Sequence, residues 1–174
     1  MEQVFTERLL LVPFKLDIVK TAILDNSELA KFLGVNVLPD WQDQESSQNL
    51  PDIANILEKY PFQSKWGWGS LVIHQQENTL IGHVMIKVIP DATFSPTDAV
   101  EIGYYIAPSH RQQGYGTEAA KAMADLVLSQ PDMQTVTAGC DPKNIASQRV
   151  LEKIGMELIT PGKEVLVWKL SKST

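Results

Sequence analysis

Ile106-Ala107-Pro108-Ser109-His110-Arg111-Gln112-Gln113-Gly114-Tyr115-Gly116-Thr117-Glu118-Ala119 is the stretch that decides how this chain is read. An apolar strand, Ala99 to Ile106, is expected to stop at Pro108, pass through an Arg-x-x-Gly-x-Gly turn and enter an Ala-rich helix. A helix N-terminus leaves backbone N–H groups unpaired and carries roughly half a positive charge, so it attracts phosphate. Gly114 and Gly116 lack the Cβ that would hold a phosphate away from those groups. The turn is therefore shaped for an anion. The backbone N–H groups of Gln112, Gln113, Gly114, Tyr115 and Gly116 are its expected donors, and Arg111 is a phosphate ligand if its side chain turns inward, a solvated arginine otherwise.

Other loops of this kind fit less well. A Walker loop ends in Gly-Lys-Ser/Thr, whereas Thr117-Glu118 follow the second glycine here and no lysine is present. A dinucleotide turn needs a third glycine. A tight strand-to-helix turn with no ligand stays open on this stretch alone.

A second segment, Asn144-Ile145-Ala146-Ser147-Gln148-Arg149-Val150-Leu151-Glu152-Lys153-Ile154-Gly155-Met156, narrows the choice. Together the two segments resemble the GNAT superfamily of acetyl-CoA-dependent N-acetyltransferases. In that family the Gly-x-Gly turn holds the CoA pyrophosphate, and a later Asn opens a helix ending in Lys-x-Gly-Phe. The opening Thr6-Glu7-Arg8-Leu9-Leu10-Leu11, the strand Glu101-Ile102-Gly103-Tyr104-Tyr105-Ile106 and the Asn-x-x-Ser pattern look like the RimJ/RimL branch, which acetylates ribosomal-protein N-termini. The resemblance spans nearly the whole chain. It implies a single α/β domain over residues 1–174, with a mixed, mostly antiparallel central sheet flanked by helices.

Composition agrees with one domain. The chain has 174 residues, 44% hydrophobic and 21% charged, ordinary for a globular protein. The formal net charge of −6 argues against a nucleic-acid partner, which would need clustered Lys and Arg. No apolar run is long enough to span a bilayer, Met1-Glu2-Gln3 opens no leader pattern, and the single Cys140 excludes an internal disulfide. The expectation is a cytoplasmic protein without membrane or metal, with a homodimer left open.

Periodicity predicts strands over Val4–Phe14, Gly67–His74, Thr79–Ile89, Ala99–Ile106, Gln134–Cys140, Leu158–Ile159 and Val165–Leu170. It predicts helices over Asp17–Phe32, Leu50–Tyr60 (with Pro51 in the first turn), Thr117–Ser129 and Asn144 to about Ile154. Gly34–Glu45 and Asp91–Asp98 read as loops.

The resemblance also implies a chemistry. A neutral amine attacks the acetyl-CoA thioester directly, which calls for a base, an oxyanion donor and an acid for the leaving thiolate. The family places the donor on the backbone N–H near Ile106. Its usual acid is a tyrosine seven residues after the Asn, which is Leu151 here. The RimJ/RimL-like Ser falls at Ser147, which shares a helix face with Leu151. Ser147 either contacts the sulfur or makes a local first-turn bond. Asn144 caps the helix, contacts the pantetheine arm, or both.

Two residues are candidates for the base. Glu101 lies on the strand before the turn; carboxylates ordinarily ionise near 4, so it would act best through a water or with a raised pKa. His83 lies on the preceding strand, on the expected face of Ile81, Met85 and Lys87, and an imidazole pKa near 6.5 suits the task. A hydrogen-bonded structural role is its alternative. Trp66 and Trp68 read as core on one strand face, Trp41 as a substrate wall and Cys140 as packing. The amine acceptor is a protein N-terminus or a small molecule. A CoA-binding domain without turnover, serving as a sensor or interaction module, is the rival from another class.

Overall fold

A computed structural model describes residues 1–161 and 164–173. Its centre is one sheet of nine strands: β1 (Val4–Phe5), β2 (Leu9–Pro13), β3 (Asn36–Val37), β4 (Ser70–His74), β5 (Thr79–Pro90), β6 (Pro96–Ile106), β7 (Thr135–Cys140), β8 (Glu157–Pro161) and β9 (Leu166–Ser171). The order is β1-β2-β4-β5-β6-β7-β9-β8, with the short β3 pairing β5. Among the described residues only β3–β5 and β6–β7 run parallel, so the sheet is mixed and mostly antiparallel, as expected.

Helices cover both faces. On one side α1 (Leu16–Leu24), α2 (Asn26–Leu33) and α3 (Gln44–Lys59) bury Val19, Leu29, Ile53 and Leu57 against Leu71, Ile73 and Leu80. A short α4 (Pro61–Ser64) follows α3. On the other side α5 (Tyr115–Leu128) and α6 (Ile145–Lys153) pack on Val84, Ile86, Val100, Ile102 and Val136. The small residues Ala119, Ala120 and Ala124 are fully buried and let α5 lie close to the strands.

Several boundaries differ from expectation. The segment Asp17–Phe32 is two helices, because Asp25 adopts an extended conformation and its carboxylate accepts from the Glu28 N–H at 2.7 Å, capping α2. Gly34–Glu45 contains β3 and the start of α3, so Pro51 sits inside a longer helix and not in its first turn. Val4–Phe14 is broken at the Thr6–Arg8 turn, and β6 begins at Pro96, within the expected loop. Trp66 and Trp68 precede β4 and pack into opposite cores, so they share no strand face. A bulge at Ile81 opposite the Val72/Ile73 step puts Ile81 in the α5-side core, away from the face of His83.

Candidate active site

The site forms where β6 and β7 part. Their parallel pairing ends at Glu101↔Thr137, although β6 continues to Ile106 and β7 to Cys140. The Ala107 N–H donates to Ile81 on β5, while the Val100 carbonyl accepts from Thr137 on β7. By strand alternation, Tyr104 and Ile106 turn their backbone edges to the β7 side, into the widening gap. The gap is an open sheet edge inside the fold, and an extended chain of amides can lie along it. The Ile106 N–H expected from the resemblance therefore does face the gap.

The turn after β6 closes one end. A single 3₁₀ turn, Pro108–His110, leads to Gln112 and Gly114, both left-handed with φ of 62° and 85°. Gly114 is the cap residue of α5 and offers no side-chain cap. Among the described residues, the N–H groups of Gln112, Gln113, Gly114, Tyr115, Gly116 and Thr117 have no protein partner. A row of unpaired donors at a helix N-terminus fits a pyrophosphate. At Gly116 a Cβ would stand 3.1 Å from the Tyr104 ring, so this glycine also lets that ring approach α5. Arg111 stays exposed, as the solvated alternative has it, while its Nε donates to the Ile106 carbonyl at 2.8 Å and its guanidinium lies over the Tyr105 ring.

The α5 side of the gap carries hydroxyls. The Tyr104 hydroxyl donates to Ser147 Oγ at 3.3 Å, so Ser147 Oγ points to a neighbouring element as well as sitting in the first turn of its helix. Asn144 is a cap in fact: its side-chain oxygen accepts the Ser147 N–H at 3.0 Å. Burial pushes the half-buried Tyr104 phenol above its ordinary value, with the Ser147 hydrogen bond working against it. Leu151 is buried in the core and leaves no polar group on α6 in its place. Cys140, also buried, donates to the Asp141 carbonyl at 3.3 Å, and burial raises its thiol, which agrees with a packing role.

The opposite face of β6 carries Glu101, Gly103 and Tyr105, opposite Lys87, Met85 and His83 on β5. Glu101 is exposed at the last paired rung before the gap. His83 is enclosed between Trp41 and Tyr105, and burial lowers its pKa to about 4 despite Asp43 at 3.9 Å. The near-neutral basicity that recommended His83 is lost, and Nε2 has no hydrogen-bond partner among the described residues. Trp41 is no substrate wall: it is 1% exposed, its Nε1 donates to Asn26, and it forms part of the core under His83.

Sequence reasoning missed the brace behind the Gly-x-Gly turn. Glu118 accepts from Thr6 Oγ1, from the Arg8 N–H at 2.9 Å and from Arg8 Nε at 2.7 Å. Arg8 also donates to the Gln113 carbonyl and lies over the Tyr115 ring, whose hydroxyl meets the buried His74 Nε2 at 2.9 Å. His110 reaches Glu77 at 3.1 Å and fastens the 3₁₀ turn to the β4–β5 hairpin. The available signal was Thr6-x-Arg8 together with an acid in the first turn of α5.

Residues 8–157 match the acetyltransferase (GNAT) domain family. The chain belongs to that family. It is an N-acetyltransferase, and acetyl-CoA is its co-substrate. It is similar to the uncharacterized N-acetyltransferase YjdG of Bacillus subtilis, 28% identical over 164 residues and covering 94% of each chain. Its fold is that of a GNAT-family acetyltransferase from Bacillus anthracis, with a TM-score of 0.62, 22% identity and 98% of both chains covered. It is also that of RimL, the ribosomal L7/L12 alpha-N-protein acetyltransferase solved with coenzyme A, with a TM-score of 0.64, 17% identity and 98% of both chains covered. Among the described residues no helix is long and apolar enough to cross a membrane, and no cluster of side chains fits a metal ion.

Proposed function

We propose that this chain transfers the acetyl group of acetyl-CoA to a primary amine, a protein N-terminus or a small amine, by direct attack, in the manner of the RimJ/RimL branch. The observation that carries this reading is the two-sided gap beside β6. Hydroxyl donors Tyr104 and Ser147 lie on its α5 side, and an exposed carboxylate, Glu101, lies on the other. The amine enters on the Glu101 side and the sulfur leaves on the Ser147 side.

In this scheme the N–H groups of residues 112–117 hold the pyrophosphate and the Tyr104–Ile106 edge of β6 aligns the pantetheine amides. The Ile106 N–H stabilises negative charge on the carbonyl oxygen. Glu101 takes the ammonium proton through a water, since its carboxylate is exposed and His83 is too weakly basic and too enclosed. Asn144 fixes Ser147 by capping α6. When bound, acetyl-CoA supplies an activated acyl group; the protein supplies alignment and proton management.

The opening Thr6-Glu7-Arg8-Leu9 supports the RimJ/RimL-like assignment, since Thr6 and Arg8 brace the cofactor turn from the far end of the chain. The test is thiol release from acetyl-CoA over a panel of small amines and N-terminal peptides, with mass spectrometry locating the acetyl group. Release with acetylation of an α-amino group or a small amine is expected. Binding of acetyl-CoA with no acetylated product from any amine would overturn the reading.

A further inference from the structure

Ser147 alone is a poor proton donor. A serine hydroxyl that gives its proton to a leaving sulfur becomes an alkoxide, far less stable than the thiolate it quenched. A second group must replace that proton. The phenol of Tyr104 is placed to do so: it donates to Ser147 Oγ at 3.3 Å, from the strand that borders the gap. Its ring rests against Gly116, where a Cβ would come within 3.1 Å of Cε2. The ring is thus held between the last glycine of the cofactor turn and the first turn of α6.

On the acetyl-transfer reading above, we infer that Tyr104 is the positioning residue and proton source behind Ser147 for the departing sulfur. Ser147 releases its hydroxyl proton to the sulfur, which leaves with the electron pair of the broken acyl–sulfur bond. Tyr104 passes its phenolic proton to Ser147 Oγ, restoring the serine. The resulting phenolate, half-buried and open to the gap, regains a proton from solvent, which balances the proton that the amine loses on the Glu101 face. Phenols ionise near 10 and lie between a serine hydroxyl and a thiol in acidity, so moving both protons together avoids a free alkoxide and costs less than transfer from serine alone. Leu151 leaves α6 without a phenol, and β6 supplies one from a different element.

Tyr104→Phe keeps the ring against Gly116 and removes only the hydroxyl. With chemistry rate-limiting, kcat should fall about 10- to 100-fold, the low end of general-acid effects. The acetyl-CoA Kd should stay within about twofold, since the interaction grows only as charge forms on sulfur. Adding Tyr104→Phe to Ser147→Ala should cost nothing further, because both belong to one relay. Binding of free CoA gives a readout independent of turnover. Calorimetry in two buffers of different ionisation enthalpy, at about pH 8 and just below the ordinary thiol pKa, counts protons exchanged on binding. Wild type should release protons as the hydroxyl pair stabilises the bound thiolate. Tyr104→Phe should lose that release, and desulfo-CoA should show none with either protein. A Tyr104→Phe enzyme with wild-type kcat, or with undiminished proton release, overturns the inference. Failure of wild type to acetylate any amine would sink the transfer reading instead, and the proton count would still decide the role of Tyr104.

Discussion

Glu118→Ala should loosen the joint between the N-terminal strands and the cofactor turn. The carboxylate accepts from Thr6 Oγ1, the Arg8 N–H and Arg8 Nε, and its side chain is 16% exposed against 39% for Arg8. Hydrogen bonds to charged groups contribute about 1.5–3 kcal/mol each. Three that share one carboxylate do not add, and solvent screens the Arg8 part, so the net loss should be about 2–4 kcal/mol. For a chain of this size each kcal/mol moves Tm by roughly 2–4 °C, which puts the variant about 4–16 °C below wild type. Arg8, released from Glu118, would also hold the Gln113 carbonyl less firmly, so the acetyl-CoA Kd should rise.

The pH dependence has a definite sign. Burial pushes the Glu118 carboxyl up, but the hydrogen bonds from Thr6 and Arg8 outweigh it and hold the group below its ordinary value. A depressed carboxyl stabilises the fold fully above its unfolded pKa of about 4.3 and progressively less as pH falls through the folded value. The gap between wild type and Glu118→Ala should therefore be widest near neutrality and close below about pH 4. Thermal melts from pH 7 down to pH 3, with calorimetry of acetyl-CoA binding at pH 7, check both parts. A Tm loss under about 2 °C, or a gap that persists undiminished into acid, refutes the brace.

Gly116→Val should raise the acetyl-CoA Kd about 10- to 100-fold, the effect of losing a charged hydrogen bond of about 1.5–3 kcal/mol. Calorimetry on the folded variant measures it, and unchanged affinity would remove the pyrophosphate assignment. His83 should make stability fall with acid in a separate window. Its folded pKa of about 4 lies below the ordinary 6.5, so the unfolded chain binds more protons between those values. The contribution is complete above pH 6.5 and declines towards pH 4, at up to about 1.4 kcal/mol per pH unit. Urea unfolding of His83→Gln should show a flatter profile there; an unchanged slope would mean that His83 is not held neutral by the fold.

The sheet, the β6–turn–α5 unit and the cap at Asn144 were legible because each rests on local signals: alternation, a Gly-x-Gly turn and a short polar residue before a helix. What was not legible depends on distance. Nothing near Trp41 reveals that its indole lies under His83, and the Ile81 bulge, which reverses a face, leaves no mark in the alternation of β5. The His83 basicity failed for the same reason, since desolvation comes from residues far along the chain. Thr6 and Arg8 were visible as a pattern, but their partner Glu118 lies more than a hundred positions away and no periodicity links them.

Gly116 shows why one motif position can answer to two demands. Its missing Cβ was expected to bring phosphate near the backbone, and the structure shows that it also brings the Tyr104 ring against α5. A side chain there would disturb the donor row of the turn and push the phenol away from Ser147 together. On the proposed scheme, cofactor binding and leaving-group protonation would be mechanically linked through a single contact. The loss of a phenol at Leu151 is tolerable in such an arrangement, because the gap itself admits a phenol from β6 and the α6 cap holds Ser147 where that phenol arrives.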